Sequence, residues 1–133
     1  MEKNIIITGA AGGIGSEIAS FASKKGYRVG LIDSNQDKLA EVEARIENSI
    51  SLPTDITNEK SVTESLKKFS FTPDALVNCA GIVRFGSLLE QSTDDFKDVI
   101  DVNLLGCFIV SCATAKLMTR NGSGNIVNIS SIS

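Results

Sequence analysis

Thr8-Gly9-Ala10-Ala11-Gly12-Gly13-Ile14-Gly15 decides the fold. Ahead of it, Asn4–Thr8 is rich in isoleucine and reads as a short strand. Behind it, Ile14, Ile18, Phe21 and Ala22 recur at helical spacing until Gly26, so a helix follows directly. A glycine cluster between strand and helix has three physical uses: a sharp turn, close backbone approach to a pyrophosphate, and tight packing of helix on strand. The helix N-terminus then offers free N–H groups and partial positive charge to phosphates. A tight turn with no ligand also uses glycine. The strand–turn–helix context is what favours dinucleotide binding, with Gly9, Gly12, Gly13, Ile14 and Gly15 as the phosphate-facing residues.

Working outward, Arg28–Asp33 reads as a second strand and Leu39, Val42 and Ile46 mark a second helix, with Ser34 and Asp37 set like a capping box. Ile50–Pro53 reads as a third strand, and Val62, Leu66 and Phe69 line a third helix. Ala75–Asn78 is a fourth strand, a long helix opens at Phe96, Val99 and Ile100 and runs to about Met118, and Asn125–Ser130 is a fifth strand. This alternation predicts an α/β fold, a parallel sheet covered on both faces. Asp33 ends the second strand, 24 residues after Gly9, where an acid can grip ribose hydroxyls. A carboxylate there favours NAD, because a 2′-phosphate would meet like charge. The competing role for Asp33 is a cap on the next helix.

Composition narrows the function. The chain has 133 residues, 13 Lys plus Arg against 16 Asp plus Glu, and a net charge of −3, so no basic footprint points to nucleic acid. The uninterrupted apolar runs are far shorter than a membrane span, and the first residues lead straight into a strand, so neither a membrane segment nor a signal peptide is expected. Cys79, Cys107 and Cys112 form no C-x-x-C pair and suit a reducing compartment, so a cytoplasmic protein is expected. With no histidine in the chain, Ser-His-Asp chemistry and the common zinc sites are excluded, and no metal site is expected.

These features together resemble the short-chain dehydrogenase/reductase family. The glycine segment resembles its T-G-x-x-x-G-x-G signature, although Gly9, Gly12 and Gly15 also satisfy the G-x-x-G-x-x-G spacing of sugar-nucleotide epimerases. Later motifs decide between the two. Asn78-Cys79-Ala80-Gly81 resembles N-N-A-G, Asp101-Val102-Asn103-Leu104-Leu105-Gly106 resembles the helix motif with a catalytic asparagine, and Ile129-Ser130-Ser131 resembles the strand end bearing a catalytic serine. The resemblance implies one NAD(P)-binding domain over residues 1–133, a Rossmann-type doubly wound parallel sheet truncated after the fifth strand, with the C-terminal catalytic part absent.

It implies residue roles as well. Asp55 and the Ile56 backbone would meet adenine, with a turn or helix cap as the alternative for Asp55; Asn78, Ala80 and Gly81 would line the cofactor, while Cys79 would only pack. Asn103, seven residues after Phe96 and on its helical face, would point into the core and hold a water in a proton relay, a structural kink being the alternative. Ser131, with Ser130 as its rival, would steady a substrate carbonyl. The family's Y-x-x-x-K pair, in which lysine lowers a phenol pKa of about 10, would follow beyond Ser133. Tyr27 precedes the second strand, roughly 15–20 Å from the reactive edge, and cannot substitute. The implied activity is NAD-dependent hydride transfer with an alcohol or carbonyl substrate, in a homo-oligomer joined through the long helix; the alternative is an NAD-binding stub without turnover. Ile126, Val127 and Ile129 are expected on an exposed sheet edge that favours self-association.

Overall fold

The computed structural model describes residues 2–132. Its sheet has five parallel strands in the order β3-β2-β1-β4-β5, formed by β1 (Lys3–Thr8), β2 (Tyr27–Asp33), β3 (Ser49–Pro53), β4 (Ala75–Asn78) and β5 (Asn125–Asn128). Successive strand residues point to opposite faces, and here both faces are covered, which is why Ile5-Ile6-Ile7 is unbroken in its apolarity. Ile5, Ile7, Val29 and Leu31 pack against α1 (Gly13–Lys24) and α2 (Gln36–Glu43). Ile6, Ile32, Leu52 and Leu76 face α3 (Glu59–Phe69) and α5 (Cys107–Met118) on the other side. The chain order reverses between β1 and β4. Open sheets of this kind form a ligand crevice at that switch, outside the carboxyl ends of the strands.

Several local expectations need correction. In α1 the sheet-facing residues are Gly15, Ala19 and Ala22, while Ile14 and Phe21 are each 63% exposed. The start of the helix presses on the glycine turn, since a Cβ on Gly15 would collide with the Gly9 carbonyl. Phe21 instead carries the Lys25 ammonium over its ring, 5.5 Å from the centroid. The cap of α2 is Asn35, whose side chain accepts from the Lys38 N–H at 3.1 Å, so Ser34 and Asp37 form no capping box. Ile46 lies past the end of α2 and still packs on the first core.

The long helix begins at α4 (Thr93–Ile100) and reaches α5 through a π-helical stretch, Asp101–Gly106. A π turn holds an extra residue and shifts every side chain after it around the axis. Over 93–121 this helix is long and apolar enough to cross a membrane by length and composition alone, a test that core helices also pass. Val110, Thr114 and Met118 nevertheless pack against the sheet layer, and Asp94, Asp95 and Asp98 stand in its first turns. β5 stops at Asn128 rather than Ser130 and leaves Ile126, Val127 and Ile129 between 41% and 50% exposed at the sheet edge, as expected.

Candidate cofactor site

The glycine turn is built by backbone geometry. Gly9 has φ +65°, a left-handed conformation that L side chains rarely adopt, and a Cβ there would stand 2.8 Å from the Ala80 backbone. The Gly12 N–H closes the turn on the Gly9 carbonyl at 3.0 Å. Thr8 fastens it from behind: its buried hydroxyl oxygen accepts from the N–H groups of Cys79 at 3.0 Å and Ala80 at 3.1 Å. No side chain caps α1 and its first turn holds no acid, so the N–H groups of Gly13, Ile14 and Gly15 keep the orphan donors of a helix start. This is an anion-ready end.

In front of this turn lies a groove of about 260 Å³. Gly9, Gly12, Asp33, Asp55, Ile56, Ala80 and Gly81 line it, all singled out by sequence. Ile32, Ser34, Thr54, Cys79, Ile82 and Val102 complete it. Gly13, Ile14 and Gly15 are outside the lining; any contribution they make is through backbone N–H groups, and the Ile14 side chain faces solvent.

Asp33 is held in place at the end of β2. One carboxylate oxygen accepts from the Ala11 N–H at 3.1 Å, the other from the Asn35 N–H at 2.9 Å. Each oxygen retains a second lone-pair direction, so the group still accepts hydrogen bonds from a ligand. Asp55 accepts from both the Thr57 N–H (3.0 Å) and the Thr57 hydroxyl (2.7 Å), the turn role named as its alternative, while remaining exposed at the groove.

Asn78 departs from expectation and is absent from the groove lining. The two-residue strand period places it on the side of Leu76, under α5. Its amide donates to the Ser111 hydroxyl and to the Asn128 side-chain oxygen, both at 2.9 Å, and its own buried oxygen has no partner among the described residues. Cys79, the next residue, lines the groove and packs on the first core. Burial pushes its thiol pKa up, which keeps the sulfur neutral and a poor nucleophile.

Asn103 is exposed rather than directed into the core. Its amide spans the backbone of Ile82, accepting from the N–H at 2.8 Å and donating to the carbonyl at 2.9 Å. The π stretch turns it toward the loop after β4, a rotation that counting residues along a regular helix misses. Ser130 and Ser131 follow β5 in exposed chain and do not line the groove. Tyr27 opens β2 rather than preceding it, and pairs with Lys3 at the amino end of the sheet. No cluster of metal-ligating side chains occurs among the described residues. Sequence reading missed Thr8, although it opens the glycine signature, and missed Ser111 and Asn128, which carry no motif.

A second, larger groove of about 670 Å³ lies between α3 and α5, walled by Leu66, Phe71, Leu105 and Phe108. It shares no residue with the first. The smaller groove is the one beside the glycine turn and the switch point, which makes it the candidate cofactor site.

The family model for short chain dehydrogenase matches residues 3–133. An uncharacterized oxidoreductase of Staphylococcus aureus (strain N315) is 34% identical over 137 residues, covering 99% of this chain and 59% of that protein. An uncharacterized oxidoreductase of Staphylococcus saprophyticus is 33% identical, with 60% of its length covered. The chain thus spans about three-fifths of the length of these relatives. Among solved structures, a short-chain type dehydrogenase/reductase from Mycobacterium ulcerans superposes with a TM-score of 0.92 at 28% identity, covering 98% of this chain and 51% of that one. A 3-oxoacyl-[acyl-carrier protein] reductase with bound NAD from Brucella melitensis gives 0.90 at 29% identity over 97% of this chain and 53% of that one. ElxO with NADP bound gives 0.86 at 36% identity over 99% and 56%. Motifs, sheet order and these likenesses agree: the chain belongs to the short-chain dehydrogenase family.

Proposed function

We propose that this chain is the NAD-binding portion of an oxidoreductase that moves hydride between NAD(H) and an alcohol or carbonyl substrate. The observation that carries the choice of NAD is Asp33, a carboxylate fixed by Ala11 and Asn35 at the groove. It accepts ribose hydroxyls and repels a 2′-phosphate. Both NAD and NADP are named for solved relatives, so the choice rests on this chain's own residue. The groove residues fit a dinucleotide. Gly9, Gly12 and the α1 N-terminus face the pyrophosphate, Asp55 and Ile56 flank adenine, and Ala80 and Gly81 border the continuation toward nicotinamide. The bound cofactor supplies the hydride acceptor or donor. Asn103 fixes the Ile82 backbone beside that path and contributes to the proton relay, and Ser131 steadies the substrate oxygen.

The protein works in the cytoplasm, consistent with three free thiols, and as a homo-oligomer through the long helix. Exposed Leu104, Leu105 and Phe108 sit mid-helix, with Asp94, Asp95 and Asp98 at one end and Lys116 and Arg120 at the other. An antiparallel pair of such helices sets acid against base.

Fluorescence titration with NADH and NADPH tests the reading. The expected result is NADH binding at least about tenfold tighter, a ratio that Asp33→Ala collapses. Equal or tighter NADPH binding by the unaltered chain overturns it.

A further inference from the structure

Gly106 closes the π-helical stretch and is buried. A Cβ built on it would stand 2.7 Å from both Cγ1 and Cδ1 of Ile56, and 3.4 Å from the Asp101 carbonyl oxygen. No real Cβ tolerates the first two contacts, so any side chain here forces Ile56 to move. Ile56 has two neighbours at once. One flank belongs to the packed core with Val62 and Leu66, and the other forms part of the groove wall beside Asp55. A filled core yields little. The open side is the groove.

We propose that Gly106 is a positioning residue for the cofactor: lacking a side chain, it lets Ile56 lie back and keeps the adenine end of the groove open. The inference rests on the dinucleotide reading above. The same irregular turn serves the rest of the groove. Val102 lines it directly, and Asn103 holds the backbone of Ile82, another lining residue. One six-residue π stretch therefore sets two parts of the wall, in keeping with the enrichment of π-helical turns at functional sites. A glycine required only for helix packing would affect stability and leave ligand preference alone.

The test is calorimetric titration of the chain and its Gly106→Ala, Ile56→Ala and doubly substituted forms with NADH, AMP and nicotinamide mononucleotide, with melting curves confirming the fold. Gly106→Ala is expected to weaken NADH and AMP about tenfold, the scale of overpacking a dense site, and to leave the mononucleotide unchanged. In the Ile56→Ala background, where both clashing atoms are gone, Gly106→Ala is expected to change AMP affinity by less than about twofold. A folded Gly106→Ala chain that binds AMP normally overturns the proposal, and so does equal weakening of all three ligands. If Gly106→Ala does not fold, Ile56→Phe crowds the same subsite from the other side, and an unchanged AMP affinity there overturns it equally. An unaltered chain that binds neither NADH nor AMP removes the dinucleotide reading itself, a result distinct from any of these.

Discussion

Replacing Thr8 by valine removes one oxygen and keeps the shape. Thr8 is only 1% exposed, and that oxygen accepts from two backbone donors, Cys79 N–H at 3.0 Å and Ala80 N–H at 3.1 Å. A buried donor left without a partner costs about 1–3 kcal/mol. Cys79 and Ala80 are half-buried, so water reaches them in part and the lower half of that range applies to each. The sum is about 2–4 kcal/mol, read as the difference in unfolding free energy by urea titration, or a fall of roughly 7–14 °C in Tm for a chain of this size. Thr8→Ser keeps the acceptor and is expected to lose less than about 1 kcal/mol. Both donors belong to groove-lining residues, so NADH affinity falls with Thr8→Val as the turn after β4 drifts from the glycine loop. A valine variant within about 0.5 kcal/mol of the original refutes the claim that this hydroxyl fastens the site.

Asn103→Leu removes both hydrogen bonds to Ile82 on an exposed surface and is expected to cost about 1–2 kcal/mol by urea titration, with faster amide exchange at Ile82. Cys79, raised above its ordinary value of 9.0 by burial, resists alkylation at neutral pH; thiol labelling followed by peptide mass mapping is expected to modify it only in alkaline solution. Because the folded-state pKa is the higher one, its contribution to stability is intact below about pH 9 and fades as the pH rises through the folded value, which urea titrations at pH 8 and pH 10 compare with a Cys79→Ala control.

The strand–helix alternation, most strand positions and much of the groove were legible because they depend on short-range patterns: alternating periods, glycine where φ turns positive, an acid at a strand end. The misread residues depend on long-range contact. Ile14 and Phe21 look like a core stripe, yet α1 turns the small face of Gly15, Ala19 and Ala22 to the core, with Ile18 packed at its margin. Asn78 belongs to the family's motif, yet the pleat that buries Leu76 also carries Asn78 away from the groove and under Ser111. Asn103 was identified but misdirected, since no residue type marks a π turn in advance. Ser111 and Asn128 meet Asn78 only when β4, β5 and α5 assemble, so nothing local marked them.

The place of β5 at the sheet margin has a kinetic meaning. β1 is flanked by β2 and β4, whereas β5 rests on β4 alone through four paired residues, from Ala75↔Asn125 to Asn78↔Asn128. Hydrogen exchange should therefore peel the molecule from that side: amides of β5 open by local fluctuation, while those of Ile6 and Ile7 exchange only when the whole chain unfolds. The strand leading toward Ser131, the residue proposed above to steady a substrate oxygen, is then expected to breathe early, and binding that orders it is expected to slow its exchange first.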